Sequence, residues 1–231
     1  MLRNFLLIIL LLLLIIHLIF IMNRKCMIKR IIPQAKKISI EKMVANLEAG
    51  DIIYTCNRRI SYIKQYGVFV INNLIGNVFF HALMVLKNHE FVHFVHETYK
   101  PFYYSYFNKY PNSLFRKHKL ETFFKDSDYL DPIYGVFKKR NSQTFLFEDL
   151  IDEKFSRLRY VEIKDMFLNK KSEYPGVTCN SFLGLLLEEK GFLPKAKYNI
   201  NCYYNPKTLI EYVLPYLNFY KAGVFVIDID S

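Results

Sequence analysis

Apolar and polar positions along the chain divide it into three kinds of stretch. From Phe5 to Met22 the sequence is apolar apart from His17, with no period to separate one face from another. At about 1.5 Å per residue such a run is long enough, with its flanks, to cross the hydrocarbon core of a bilayer. After it, Ile40, Met43, Val44 and Leu47 recur at helical spacing behind Ser39, which predicts a short capped helix that Gly50 ends. Residues 51–55 then read as a first strand, with Asp51 serving the turn that enters it. Residues 60–75 carry a helical tendency.

Two β-rich runs follow, Val78 to Leu86 and Phe91 to Glu97, joined by Lys87-Asn88-His89-Glu90. The short polar link predicts an antiparallel hairpin. With residues 87 and 91 as the closing pair, His81 stands opposite Glu97; one residue of slip puts His96 there instead. From Tyr99 to Pro175 the chain is rich in Tyr, Phe and Lys, with further strands expected at 133–137 and 158–163. These aromatics either pack as core and rim or line an acyl or peptide groove. A helix is expected from Pro206 to Leu214, with proline near its start, and a closing strand at 223–228.

The stretch that carries chemistry is Gly176-Val177-Thr178-Cys179-Asn180-Ser181-Phe182, which opens an apolar helix that Gly191 stops. Thr178 is placed to cap it, so Cys179 sits on the first turn, facing backbone N–H groups and the positive end of the helix dipole. Those favour thiolate, and a free thiol value of about 8.5 is expected to fall there. A small buried apolar role is the other reading of the same cysteine. A histidine oriented by a carboxylate on the next strand, His81 with Glu97, is the partner such a thiol needs. Cys56 and Cys202 lack that context and read as structural. The histidines 89, 93, 96 and 118 have no zinc-site spacing with cysteine, so His89 is expected in the hairpin turn and His93 in or near the sheet, unmetallated. No phosphate-binding or dinucleotide fingerprint occurs, and no cofactor is implied.

Taken in order, Gly50-Asp51-Ile52-Ile53-Tyr54, a histidine in an apolar strand, a Val-His-Glu strand end and a late Cys-x-Ser-Phe helix resemble the circularly permuted papain-like NlpC/P60 superfamily. Histidine precedes cysteine in that group, as His81 precedes Cys179. The resemblance spans about residues 45–192 and departs from the pattern in the long aromatic segment after Glu97. It implies an α+β domain with a central antiparallel sheet, Cys179 as nucleophile, His81 as base and Glu97 as third polar group, acting on an amide, ester or thioester. It also implies a rival, since members occur in poxviruses and large DNA viruses: a catalytically silent virion-membrane protein. The Ile, Lys, Asn, Tyr and Phe bias fits an AT-rich genome.

Charge refines the picture. The chain carries a net +11, yet residues 1–40 hold seven Lys/Arg and no acid, leaving 25 basic against 21 acidic residues in the remainder. The excess is therefore a juxtamembrane cluster, and Arg24, Lys25, Lys29 and Arg30 are candidates for anionic lipid headgroups. Nucleic acid is not favoured, because no basic stripe is interleaved with the aromatics. The apolar run is followed by Asn23-Arg24-Lys25 rather than a small-residue cleavage site, which favours an uncleaved anchor over a signal peptide. More basic residues follow the span than precede it, which places the later domain on the cytoplasmic side. The lack of an Asn-x-Ser/Thr sequon and of a disulfide framework agrees with that side. The expected organisation is an anchor at 1–23, a basic juxtamembrane segment at 24–38 and the papain-like domain at 39–231.

Overall fold

The structure is a computed structural model, and its described residues are 2–58, 70, 73–94, 115–125, 132–140, 177–195 and 203–228. A mixed α+β domain follows one long helix, α1 (Leu2–Ile31), whose side chains from Asn4 to Ile16 are all exposed. This helix is long and apolar enough to cross a membrane. Its last turns belong to the domain. Met27, Ile28 and Ile31 pack on the main core, and the Arg24 guanidinium, 3% exposed, donates to the Asn57 carbonyl at 2.6 Å.

The strands are β1 (Ala35–Ile38), β2 (Ile52–Asn57), β3 (His81–Val85), β4 (Glu90–Phe94), β5 (Phe115–Lys119), β6 (Pro132–Lys139) and β7 (Phe219–Ile227). They form one seven-stranded sheet in the order β1-β7-β6-β2-β3-β4-β5, antiparallel except where β1 runs parallel to β7. The domain therefore takes in residues 35–38, which the sequence assigned to a separate basic segment. Every residue of β2 and β3 is buried, because helices cover both faces of the sheet.

Alternation along these strands sorts the side chains. Ile52, Tyr54, Ala82 and Met84 meet Phe182 and Leu186 of α4 (Cys179–Glu189). On the other face Ile53, Leu83 and Val85 meet Met43 of α2 (Ile40–Ala45) and Phe123 of α3 (Leu120–Lys125). The α2 helix starts as its sequence predicts: the Ser39 hydroxyl accepts from the Lys42 N–H, and Gly50 takes a φ of 94° just before β2. Asp51 serves that turn, its carboxylate accepting from the Glu48 N–H at 2.9 Å. The helix expected after Pro206 is present as α5, in three pieces: Pro206–Thr208, a π-helical turn Leu209–Val213, and Leu214–Tyr216. Residues 73–75 are helical, but most of 60–75 and all of the strand expected at 158–163 lie outside the described residues.

Candidate active site

The start of α4 is built by its own side chains. Thr178 Oγ1 accepts from the Ser181 N–H at 3.1 Å, and Ser181 Oγ accepts from the Thr178 N–H at 2.7 Å, a reciprocal capping box. Cys179 is the next residue after the cap, as its sequence context requires. Its sulfur reaches the residue just before β3, where the thiol donates to the Phe80 carbonyl at 3.3 Å. Asn180 Nδ2 donates to the same carbonyl at 3.2 Å and lies 3.4 Å from the sulfur.

The place the sulfur occupies comes from the sheet. Among the described residues the pairing of β3 with β4 runs Val85↔Phe91, Met84↔Val92 and Leu83↔His93. The N–H of Ala82, the next residue along β3, is directed at the Cys179 sulfur. The thiol thus sits beside the backbone on either side of His81, whose own side chain shares the face of Leu83 and Val85, away from α4.

Burial decides its protonation. The N–H groups of Ala82, Asn180 and Cys179 all favour thiolate, but removal from water outweighs them and pushes the thiol up to about 11. The expected lowering below the free-thiol value is overturned: a helix start favours thiolate by a modest amount, and a side chain only 5% exposed loses more through desolvation.

His81 opens β3 and pairs with Thr55 of β2. Its Nε2 lies 2.9 Å from Nδ1 of His93, the two rings edge to face at 5.0 Å between centroids. Both are buried, and burial holds His81 down at about 3. The edge of His93 is set by Phe91 at 5.0 Å and Phe123 at 6.3 Å. Among the described residues the Cys179 sulfur is hydrogen-bonded to Phe80 and Asn180 and receives the Ala82 N–H; none of these bonds is to the His81 side chain.

The hairpin itself matches expectation, but its register does not. A tight turn at Lys87–His89, with Asn88 and His89 at φ 59° and 54°, closes on a Leu86 N–H to Glu90 carbonyl bond of 2.7 Å. The pairing expected from residues 87 and 91 is replaced by Val85↔Phe91. His81 facing Glu97 belonged to that expected register. Glu97 and His96 lie outside the described residues, and the group that does meet His81 is His93. The available signal is the short link: closing it at Leu86 and Glu90 puts His93 on the diagonal from His81.

Of the other cysteines, Cys56 lies within β2, its thiol donating to the Asn57 carbonyl at 3.6 Å and pushed by burial to about 11. Cys26 is exposed on α1, and Cys202 lies outside the described residues. His89 is in the hairpin turn and His118 on β5. Among the described residues no three His, Cys, Asp or Glu gather as metal ligands. Arg24, expected at lipid headgroups, is buried against Asn57, because the α1 helix continues into the domain; Lys25, Lys29 and Arg30 stay exposed.

Compared with family models, curated proteins and solved structures, the chain has no match in any of the three.

Proposed function

We propose that this chain is a membrane-anchored thiol enzyme of the permuted papain-like kind, acting by acyl transfer on an amide, ester or thioester. The observation that carries this reading is the sulfur of Cys179, at a capped helix start and against the backbone on either side of His81, whose ring, on the other face of the sheet, is hydrogen-bonded to His93. With the sulfur near 11 and the imidazole near 3, both groups are neutral at rest. The proton must therefore move as the bond forms.

In this scheme His81 Nε2–H donates to His93 Nδ1, which leaves Nδ1 of His81 as the acceptor. Through a bridging water, Nδ1 takes the thiol proton as sulfur attacks the carbonyl carbon and the carbonyl π pair moves to oxygen. On collapse the leaving amine, alcohol or thiol takes that proton, and an acyl-thioester remains on Cys179. Water or an amine or alcohol acceptor resolves it. His93 fills the orienting role expected of Glu97.

The full chain in detergent, treated with 4-nitrophenyl acetate, is expected to gain one acetyl group on Cys179, read by peptide mass spectrometry. His81→Ala is expected to slow this by about 10²-fold or more, as loss of a general base does. His93→Ala is expected to slow it less, and Cys179→Ser to remove it. A second reading draws on the buried, protonated thiol: a membrane-tethered domain that keeps the arrangement without chemistry. Acetylation of Cys26 alone, unchanged by His81→Ala, would establish that second reading.

Anchoring through residues 5–22 with the domain on the cytoplasmic side is part of the same proposal. The substitution Glu90→Thr creates a glycosylation sequon whose acceptor, Asn88, stands on an exposed hairpin turn. Translated into microsomes, this variant is expected to stay unglycosylated and to remain in the pellet after alkaline carbonate extraction. Glycan addition at Asn88 would reverse the topology, and release into the supernatant would remove the anchor.

A further inference from the structure

Tyr54 is the residue of this site that its sequence context did not suggest. It lies in β2 opposite Ala82, the residue whose N–H is directed at the Cys179 sulfur, and its side chain belongs to the core face that α4 covers. The ring is fully buried, set by edge contacts to Phe79 at 6.3 Å and Phe137 at 5.7 Å. Its hydroxyl is buried with no hydrogen-bond partner among the described residues. Asn180, the neighbour of Cys179, carries a second such atom, its Oδ1. Folded proteins satisfy nearly all buried polar atoms; of the nine orphaned ones among the described residues, these two belong to a residue that interacts electrostatically with Cys179 and to its chain neighbour, which marks the place for a polar ligand.

We propose that the Tyr54 hydroxyl is the hydrogen-bond donor to the carbonyl oxygen of the acyl substrate during attack by Cys179. This rests on the acyl-transfer reading above and adds to it the group that receives the developing charge. Sulfur–carbon bond formation sends the π pair to oxygen, and Tyr54 donates a hydrogen bond to that oxygen while keeping its proton. Burial and the nearby Cys179 hold the phenol protonated, well above its ordinary value, so it remains a donor at every working pH. A donor fixed in a water-poor site stabilises an oxyanion far more than water does.

The test is Tyr54→Phe in the full chain in detergent, which keeps the ring contacts and removes only the oxygen. Acetylation of Cys179 by 4-nitrophenyl acetate passes through an oxyanion; alkylation by iodoacetamide does not. The variant is expected to lose about 10²-fold in acetylation, the scale of removing one oxyanion donor, while alkylation of Cys179 is unchanged. Its thermal midpoint is expected to hold or rise, because an unsatisfied hydroxyl has been deleted. Equal acetylation of variant and wild type overturns the role of Tyr54 and leaves the acyl-transfer reading intact. Equal loss of alkylation and acetylation also overturns it, as does a marked fall in midpoint, since either makes the hydroxyl structural. A wild type that never acetylates on Cys179 sinks the acyl-transfer reading itself, and Tyr54 with it.

Discussion

Gly184→Ala is expected to destabilise the domain by about 2–3 kcal/mol, the upper part of the range for overpacking a core. Ordinary helix propensity argues the other way, since alanine in a helix interior is favoured over glycine by about 1 kcal/mol. Packing decides. A Cβ built at Gly184 falls within the ring of Tyr204, overlapping its Cγ and Cδ2. That ring cannot step aside: it is 1% exposed, and its hydroxyl donates at 2.5 Å to Glu188 Oε1, one turn further along α4. Denaturant unfolding of the folded domain measures the loss. Paired with Tyr204→Leu, the glycine substitution is expected to cost much less than the two single changes together, because the overlap that makes it costly is gone. A stability unchanged or improved by about 1 kcal/mol would mean that α4 and Tyr204 are not packed as described.

What could be read from the chain divides along local and distant causes. Ser39 as a cap, Thr178 as the cap of α4 and the left-handed Gly191 are set by residues a few positions away, and the structure has each of them in place. The α2 helix ends before the expected Gly50, at Ala45 with Asn46 as its C-cap, and Gly50 serves the turn into β2. The β3–β4 hairpin was legible for the same reason. Its register was not. A polar link of four residues can close in more than one way, and the choice lies in Asn88 and His89, both of which accept positive φ. Moving that closure set His93 on the diagonal from His81, and the two imidazoles hydrogen-bond there.

Nonlocal pairing hid more. The four residues of β1 carry two lysines and offer no strand signal; they are a strand because β7, far along the chain, pairs with them in register Ala35↔Val224 to Ile38↔Ile227. Arg24 looked like a headgroup ligand because it follows an apolar span. Only the docking of the last turns of α1 against the domain turns its guanidinium inward to Asn57. Tyr54 is read from its surroundings alone, since tyrosine in an apolar strand is ordinary and an unsatisfied hydroxyl is a tertiary property. The protonation of Cys179 belongs with these, because helix position can be read from a sequence and depth of burial cannot.

That depth sets the largest expected effect. Alkylation of Cys179 by iodoacetamide requires thiolate, and an ordinary thiol, ionising at about 8.5, has reached most of its maximal rate by about pH 9. Cys179 ionises near 11, so its rate is expected to climb about tenfold per pH unit from 7 to about 10 and to level only near 11. The sign follows from burial: desolvation penalises the charged form, so at pH 7 the proton stays on sulfur. His81 does not take it at rest, because its own charged form is penalised more severely and its value lies near 3. Across that range the rate at Cys179 spans about three orders of magnitude, followed by quenching and peptide mass spectrometry with the exposed Cys26 as an internal comparison for access. A rate at Cys179 that is flat from pH 5 to 8 would reveal a standing thiolate–imidazolium pair. The burial argument would then be wrong, and with it the claim that the proton leaves sulfur only as the acyl bond forms.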